Sequence, residues 1–197
     1  MVIAKNMVLR DHDPRLPEFQ SRGWRIVARS WAAQLNAVDV DTERLTALIE
    51  GMRGGRVVRE LEISDKAAIL TLDAATVADY PGGIATLHDA LSPEQATVSS
   101  TRRGFGVTAP DGGLVAMTFV DIYGTKVETD FTVVAREWRR QGLATAVKAA
   151  SVLALLSEHA ESFRTGGSDE NIASLAANTS VGYTLDEVWS TLTPPAP

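Results

Sequence analysis

Three arginines, one glycine and the start of an apolar helix carry the clearest chemical signal in this chain. Arg136, Arg139 and Arg140 fall in the run Arg136-Glu-Trp-Arg-Arg-Gln-Gly142, and Leu143 to Leu156 follows with Lys148 as its only charge. A helix start leaves about four backbone N–H groups without intrahelical partners. The helix dipole adds partial positive charge at that end. Gly142 removes a side chain that would block close approach, and Ala144 is nearly as small. Amides, dipole and cations together suit a phosphate or diphosphate. Two other sets could do chemistry. Glu128 and Asp130 stand two apart, and Asn171, Ser174 and Asn178 stand at i, i+3 and i+7. Paired carboxylates can take protons or hold a cation. A polar stripe on an otherwise apolar helix needs partners.

These residues require a strand, a turn and a helix to position them. Val127, Thr129, Phe131 and Val133 alternate with Glu128, Asp130, Thr132 and Val134, the period of a strand. Alternation puts Glu128 and Asp130 on one face. After the turn, apolar residues at 143, 147, 150 and 154 have helical spacing, and a helix apolar nearly all round belongs inside a domain. Upstream, Val57–Glu62 reads as a strand and Ser64 or Asp65 caps a helix reaching Asp73 or beyond. The Asp79-Tyr-Pro-Gly-Gly83 run breaks it, and a helix from Ile84 to Leu91 follows. Arg103–Ala109 and Leu114–Tyr123 are strands joined at Asp111-Gly112, a hairpin signal. Downstream come a short strand Ser162–Thr165, a turn Gly166–Ser168, a helix Glu170–Ser180 capped by Gly182, and a strand pair or hairpin over Tyr183–Thr193.

Arg139-Arg-Gln-Gly142-Leu-Ala144 resembles the [R/Q]-x-x-G-x-[G/A] motif of the GNAT superfamily of acyl-coenzyme-A-dependent N-acyltransferases. Asn171-Ile-Ala-Ser174-Leu-Ala-Ala-Asn178-Thr-Ser-Val-Gly182-Tyr183 resembles that family's late signature, at the usual distance. The resemblance is firm over 104–192 and extends to 57. It implies an α/β GNAT fold: a mixed, mostly antiparallel sheet with helices on both faces, splayed after the central strand. It implies acetyl-CoA as co-substrate, its diphosphate on Gln141, Gly142, Leu143, Ala144 and Thr145 between Arg139 and Arg140. The pantetheine arm would lie along Thr132, Val133 and Val134, with Asn171, Ser174 and Asn178 facing it and the sulfur. The reaction implied is acetyl transfer to a primary amine by direct attack in a ternary complex.

Within that resemblance Glu128 is the candidate general base, fourteen residues before Gly142, with Asp130 beside it. The position of Asn178 is often the tyrosine that protonates the leaving thiolate, and asparagine is no acid. Water, Tyr123 or Tyr183 then remains for that step. A non-catalytic acyl-CoA sensor or scaffold of the same fold is the alternative. So is a basic loop whose arginines serve only structure.

The chain has 197 residues, 45% hydrophobic and 22% charged, with net charge −6, the composition of an ordinary globular protein. This acidity opposes general nucleic-acid binding. Without cysteine there is no disulfide, thiolate cluster or thiol nucleophile. His12, His88 and His159 lack metal-ligand spacing, so no metal is expected. No signal segment or membrane-length apolar run is read, which makes cytoplasmic the default. The acceptor is a small-molecule or peptide amine, and a homodimer is reasonable.

Residues 1–54 stand apart as an N-terminal extension to a domain over 55–197. They read as a strand within 1–9, a connector 10–17, a strand 24–31 and a helix 42–52 closed by Gly54-Gly55. Leu16…Ser21-Arg-Gly23-Trp24 parallels Leu175…Ser180-Val-Gly182-Tyr183, each followed by a tryptophan. The extension therefore imitates a GNAT closing arm, as the remnant of a preceding repeat or as an added sheet edge. Coincidence between two short amphipathic segments is the competing reading.

Overall fold

The computed structural model describes residues 6–52, 56–79, 83–86 and 88–195. The expected strand residues 1–5, the Gly54-Gly55 closure, the Tyr80-Pro-Gly82 break and Leu87 lie outside them. Among the described residues eight strands form one sheet in the order β1-β8-β2-β7-β6-β5-β4-β3. They are β1 (Met7–Arg10), β2 (Arg25–Asn36), β3 (Val58–Glu60), β4 (Arg102–Thr108), β5 (Leu114–Tyr123), β6 (Lys126–Val134), β7 (Ser162–Ser168) and β8 (Thr184–Thr193). The helices are α1 (Leu16–Ser21), α2 (Thr42–Glu50), α3 (Lys66–Thr76), α4 (Leu143–Ser157) and α5 (Ile172–Val181). All pairings are antiparallel except β6 with β7, which α4 connects. A parallel pair needs such a crossover, because a tight hairpin cannot join it.

The sheet is covered on both faces. Met117, Phe119, Phe131 and Val133 pack with Ile69 and Leu72 of α3. Val120, Val127 and Phe163 pack with Leu45 of α2 and Val152 and Leu155 of α4. Leu143, Val147, Val152 and Leu155 are almost completely buried. Each contributes roughly 1.5–3 kcal/mol by leaving water, which is why α4 forms despite its threonine and valines.

Strand β6 departs from simple alternation. Phe119 pairs with Phe131 but Val120 pairs with Thr129, so Asp130 is an extra, bulged residue. The bulge reverses the inward face, and Val127 and Phe131 join clusters on opposite sides. Glu128 and Asp130 therefore do not stand in regular register on one face.

Three expectations are corrected. Gly166–Ser168 is strand, paired with Ala32, Trp31 and Ser30 of β2, because the N-terminal arm supplies the neighbour. Gly167 permits this pairing: a Cβ there would lie 2.7 Å from the Trp31 ring. The helix expected over 84–91 is only a 3-10 turn at Gly83–Ala85. Beyond it the buried Asp73 carboxylate holds the chain, 2.6 Å from His88 Nε2 and accepting from Leu91 N–H at 2.8 Å. Finally, β8 is one continuous strand rather than a hairpin.

Strand β2 sits between β7 and β8, so residues 7–36 share the sheet of the downstream residues. A local twofold relates β1-α1-β2 to β7-α5-β8. β1 pairs with β8 as β7 pairs with β2, both antiparallel, and β2 pairs with β8 across the centre. Asp11 N–H donates to Val188 O as Asp169 N–H donates to Arg29 O. Gly23 and Gly182 end their helices at positive φ. Trp24 N–H then donates to Phe19 O, and Tyr183 N–H to Asn178 O, both at 3.1 Å.

Candidate active site

The ladder between β6 and β7 stops at Glu128 and Arg164. Beyond it the strands diverge, and a cleft of about 520 Å³ opens between them. Thr129 and Thr165, the first residues past the last pair, line its closed end. Residues Thr129 to Val134 form one side, α5 closes another through Asn171, Ser174 and Ala177, and the start of α4 faces the opening. From Thr129 onward β6 keeps β5 on one edge only, so its second edge offers main-chain groups to an extended ligand.

The α4 start is built as its turn requires. Arg140 and Gly142 both adopt left-handed backbone, at φ 59 and 82. No side chain caps the helix there. The amides of Leu143, Ala144 and Thr145 thus keep their donors for something else. A Cβ on Gly142 would meet no described residue within 4 Å. Ala144 and Thr145 line the cleft, with Arg139 and Arg140 beside them. Arg139 donates to Val134 O at 3.1 Å and to Asp79 at 2.9 Å, and Arg136 also binds Asp79. These two guanidiniums, Arg136 foremost, hold the Asp79 carboxyl below the usual carboxylate range.

The sequence-derived residues divide clearly. Thr132, Val133, Val134, Arg139, Arg140, Gly142, Leu143, Ala144, Thr145, Asn171, Ser174 and Asp130 all line the cleft. Gln141 does not: its carboxamide accepts from Arg56 at 3.4 Å, away from the cleft. Asn178 lies fully buried behind the lining, donating to Ser174 O at 2.9 Å, while its Oδ1 has no partner among the described residues. Tyr183 is buried behind the closed end. Burial pushes its hydroxyl pKa up, opposed by a hydrogen bond with Thr129. Glu128 is exposed, in register between Asp121 and Arg164, and outside the cleft. Tyr123 is 64% exposed near the β5–β6 turn.

Asp130 reaches the cleft because it is bulged, and it accepts from Arg102 at 2.6 Å. Arg102 also spans both oxygens of Asp121, at 2.8 and 2.9 Å. Lys148 is the residue that spacing alone did not assign. It is 4% exposed, lines the cleft one turn below Ala144, and its ammonium makes no hydrogen bond or ion pair among the described residues. Burial lowers its pKa to about 7. Its signal in the sequence is that it is the lone charge of an apolar helix. Among the described residues no cluster of histidines and carboxylates could hold a metal ion. None of their helices is long and apolar enough to cross a membrane.

A mixed sheet split at its one parallel pair, with an uncapped helix start at the mouth of the split, defines the class of α/β protein present. Comparison with solved structures gives that class its name. No protein-family profile and no curated protein sequence matches the chain. Its structure resembles a GCN5-related N-acetyltransferase-like protein from Streptococcus suis, with TM-score 0.66, 16% identity, and coverage of 94% of this chain and 70% of that one. It also resembles a tandem GNAT protein from the clavulanic acid biosynthesis pathway, with TM-score 0.63, 18% identity, and coverage of 95% and 62%. The ribosomal-protein-S18-alanine N-acetyltransferase from Escherichia coli aligns with TM-score 0.55 and 15% identity over 71% of this chain and 93% of its own. This chain has the fold of the GCN5-related N-acetyltransferases, and it spans less than two thirds of the tandem protein's length.

Proposed function

We propose that the protein is an N-acetyltransferase that moves an acetyl group from acetyl-CoA to a primary amine, working in the cytoplasm. The observation that carries this reading is the uncapped α4 start opening onto the free edge of β6. The diphosphate would rest on the amides of Leu143, Ala144 and Thr145, with Arg139 and Arg140 alongside. The pantetheine would extend along Val134 to Thr132 as an added strand. The thioester then reaches the closed end near Thr129 and Thr165.

Asp130, at the bulge, is the carboxylate that meets the acceptor. Anchored by Arg102, it draws an ammonium toward the thioester; a water beside it relays the proton that the amine must lose. The neutral amine attacks the carbonyl carbon, and the tetrahedral intermediate expels the thiolate. Holding both reactants in line supplies most of the acceleration. Calorimetry with coenzyme A and thiol release across a panel of amines test this. Absence of binding at millimolar concentration overturns it. Binding without turnover on any amine favours an acyl-CoA sensor, a reading to which Asn178 at the usual tyrosine position lends support.

The twofold relation supports a reading of the N-terminal residues as well. Residues 7–36 correspond to the closing β-α-β arm of a second GNAT-type unit, lodged in the sheet of the 55–197 unit. The longer neighbours, one of them a tandem protein, align over nearly all of this chain, arm included. If the arm is integral in this way, residues 55–197 alone give a collapsed amide spectrum, and a peptide of residues 6–40 added in trans restores dispersion. A well-dispersed spectrum of 55–197 alone would mark the arm as an ordinary appendage.

A further inference from the structure

A leaving thiolate needs a proton, and none of the acids suggested by sequence is placed to give one. Asn178 has no acidic proton. Tyr183 is engaged with Thr129 behind the cleft wall, and Tyr123 is near the far turn of β5. Lys148 differs on every count. It is on the α4 stripe formed with Ala144 and Thr145, one turn deeper than the diphosphate cradle. It lines the same cavity as Thr129 and Thr165, where the strands part. Its side chain is 4% exposed and lines the cleft, and its ammonium has no counter-ion among the described residues, an arrangement that opposes the charged form.

We propose that Lys148 is the catalytic acid that protonates the departing coenzyme A thiolate, a role that rests on the acetyltransferase reading. In this step the C–S bond breaks and its electron pair goes to sulfur. An Nζ–H proton of the lysine ammonium passes to that sulfur, leaving free thiol and neutral lysine. The amine's surplus proton goes to water, and water returns one to Lys148, so nothing is oxidised or reduced.

The electrostatic surroundings fit. A thiol ordinarily has a pKa near ~8.5, so an acid at about 7 gives up its proton to a thiolate downhill. The other charged groups of the cleft are Asp79, Asp130, Arg139 and Arg140. Asp79 is held by Arg136 and Arg139, and Asp130 by Arg102. From the elements packed on α4, β6, β7 and α5 present Thr129, Thr165, Ser174 and Ala177 to this cavity. The residues that α2, β4 and β5 pack against α4, Leu45, Val107, Ala116 and Val120, are apolar. Lys148 thus titrates under burial rather than under a partner's charge.

The test compares the full-length wild type with Lys148→Met, Lys148→Gln and Lys148→Arg. Steady-state thiol release over about pH 6–9 gives kcat and KM. Calorimetry gives the coenzyme A Kd, and intact mass reports any covalent acyl group. Expected are a fall in kcat of about 10- to 100-fold for Met and Gln, a Kd within about twofold of wild type, and loss of the wild-type decline in kcat above pH 7. Arginine should not rescue, because a guanidinium does not release its proton. Unchanged kcat and pH profile in Met and Gln, or an acyl adduct on Lys148, overturns the proposal and leaves the acetyltransferase reading standing. If wild type binds no coenzyme A, that reading fails first and takes the proposal with it. Melting of Met or Gln at or above the wild-type temperature separates lost chemistry from lost folding.

Discussion

Val27 and Asp186 are the two bulged residues of the β2–β8 ladder, and 159 positions separate them (27 to 186), just as 159 separate Gly23 from Gly182. A bulge is a specific local geometry, and two at the same offset on paired strands are hard to obtain by independent insertion. The same offset relates Trp24 to Tyr183 and Phe19 to Asn178, the partners in the matched hydrogen bonds. If the two β-α-β units are equivalent, their glycine caps should respond alike. Gly23→Ala and Gly182→Ala each place a Cβ at positive φ and should each cost about 1–2 kcal/mol. Urea denaturation measures both, and a difference above about 2 kcal/mol would argue against equivalence.

Gly142→Ala separates ligand binding from folding. The backbone at φ 82 makes alanine strained, at roughly 1 kcal/mol. The larger effect falls on the cofactor, because the new methyl projects into the open cleft mouth. Coenzyme A affinity should drop at least about tenfold, equivalent to ~1.4 kcal/mol, as read by calorimetry on protein that still melts cooperatively.

The acidic pair should split. Asp130→Asn removes the carboxylate at the bulge and should lower kcat/KM for the amine about 10- to 100-fold, while coenzyme A binding is retained. Glu128→Gln, outside the cleft, should stay within about twofold of wild type. Reversal of this pattern in amine-dependent thiol release would return the acceptor role to Glu128.

Lys148 gives a stability prediction with a definite sign. Its folded-state pKa, about 7, lies below the ordinary 10.5, so between these values the unfolded chain binds a proton that the native chain does not. Stability must therefore rise with pH through that window. Lys148→Met should be more stable than wild type by the order of a few kcal/mol near neutrality, and the gap should shrink as pH approaches 10. A melting-temperature gap that is flat with pH would show a lysine hydrated in solution.

The central half of this fold was legible because its signals are local. The extent of β6, the glycine turn and the apolar α4 depend on near neighbours, and the structure reproduces them within a residue or two. The missed features are those set from a distance. Gly166–Ser168 looks like a turn until β2, more than a hundred residues upstream, supplies hydrogen bonds. Residues 88–91 lose their helix to a carboxylate on α3. The bulge at Asp130 leaves no compositional trace, yet it sends Asp130 into the cleft and leaves Glu128 outside. Lys148 was visible as an odd charge, but only the divergence of β6 and β7 gives it a place to act.

The grip of Asp79 on Arg136 and Arg139 bears on the order of events. The two cations share one carboxylate and Arg139 lines the cleft, so an anion arriving at the cradle competes with Asp79 for that guanidinium. Loading then becomes an exchange of anions, which tempers the salt sensitivity that three bare arginines would confer. That carboxylate belongs to the segment directly after α3. On the acetyltransferase reading, donor entry frees that segment, and a compulsory sequence with the thioester first is the kinetic pattern this linkage favours.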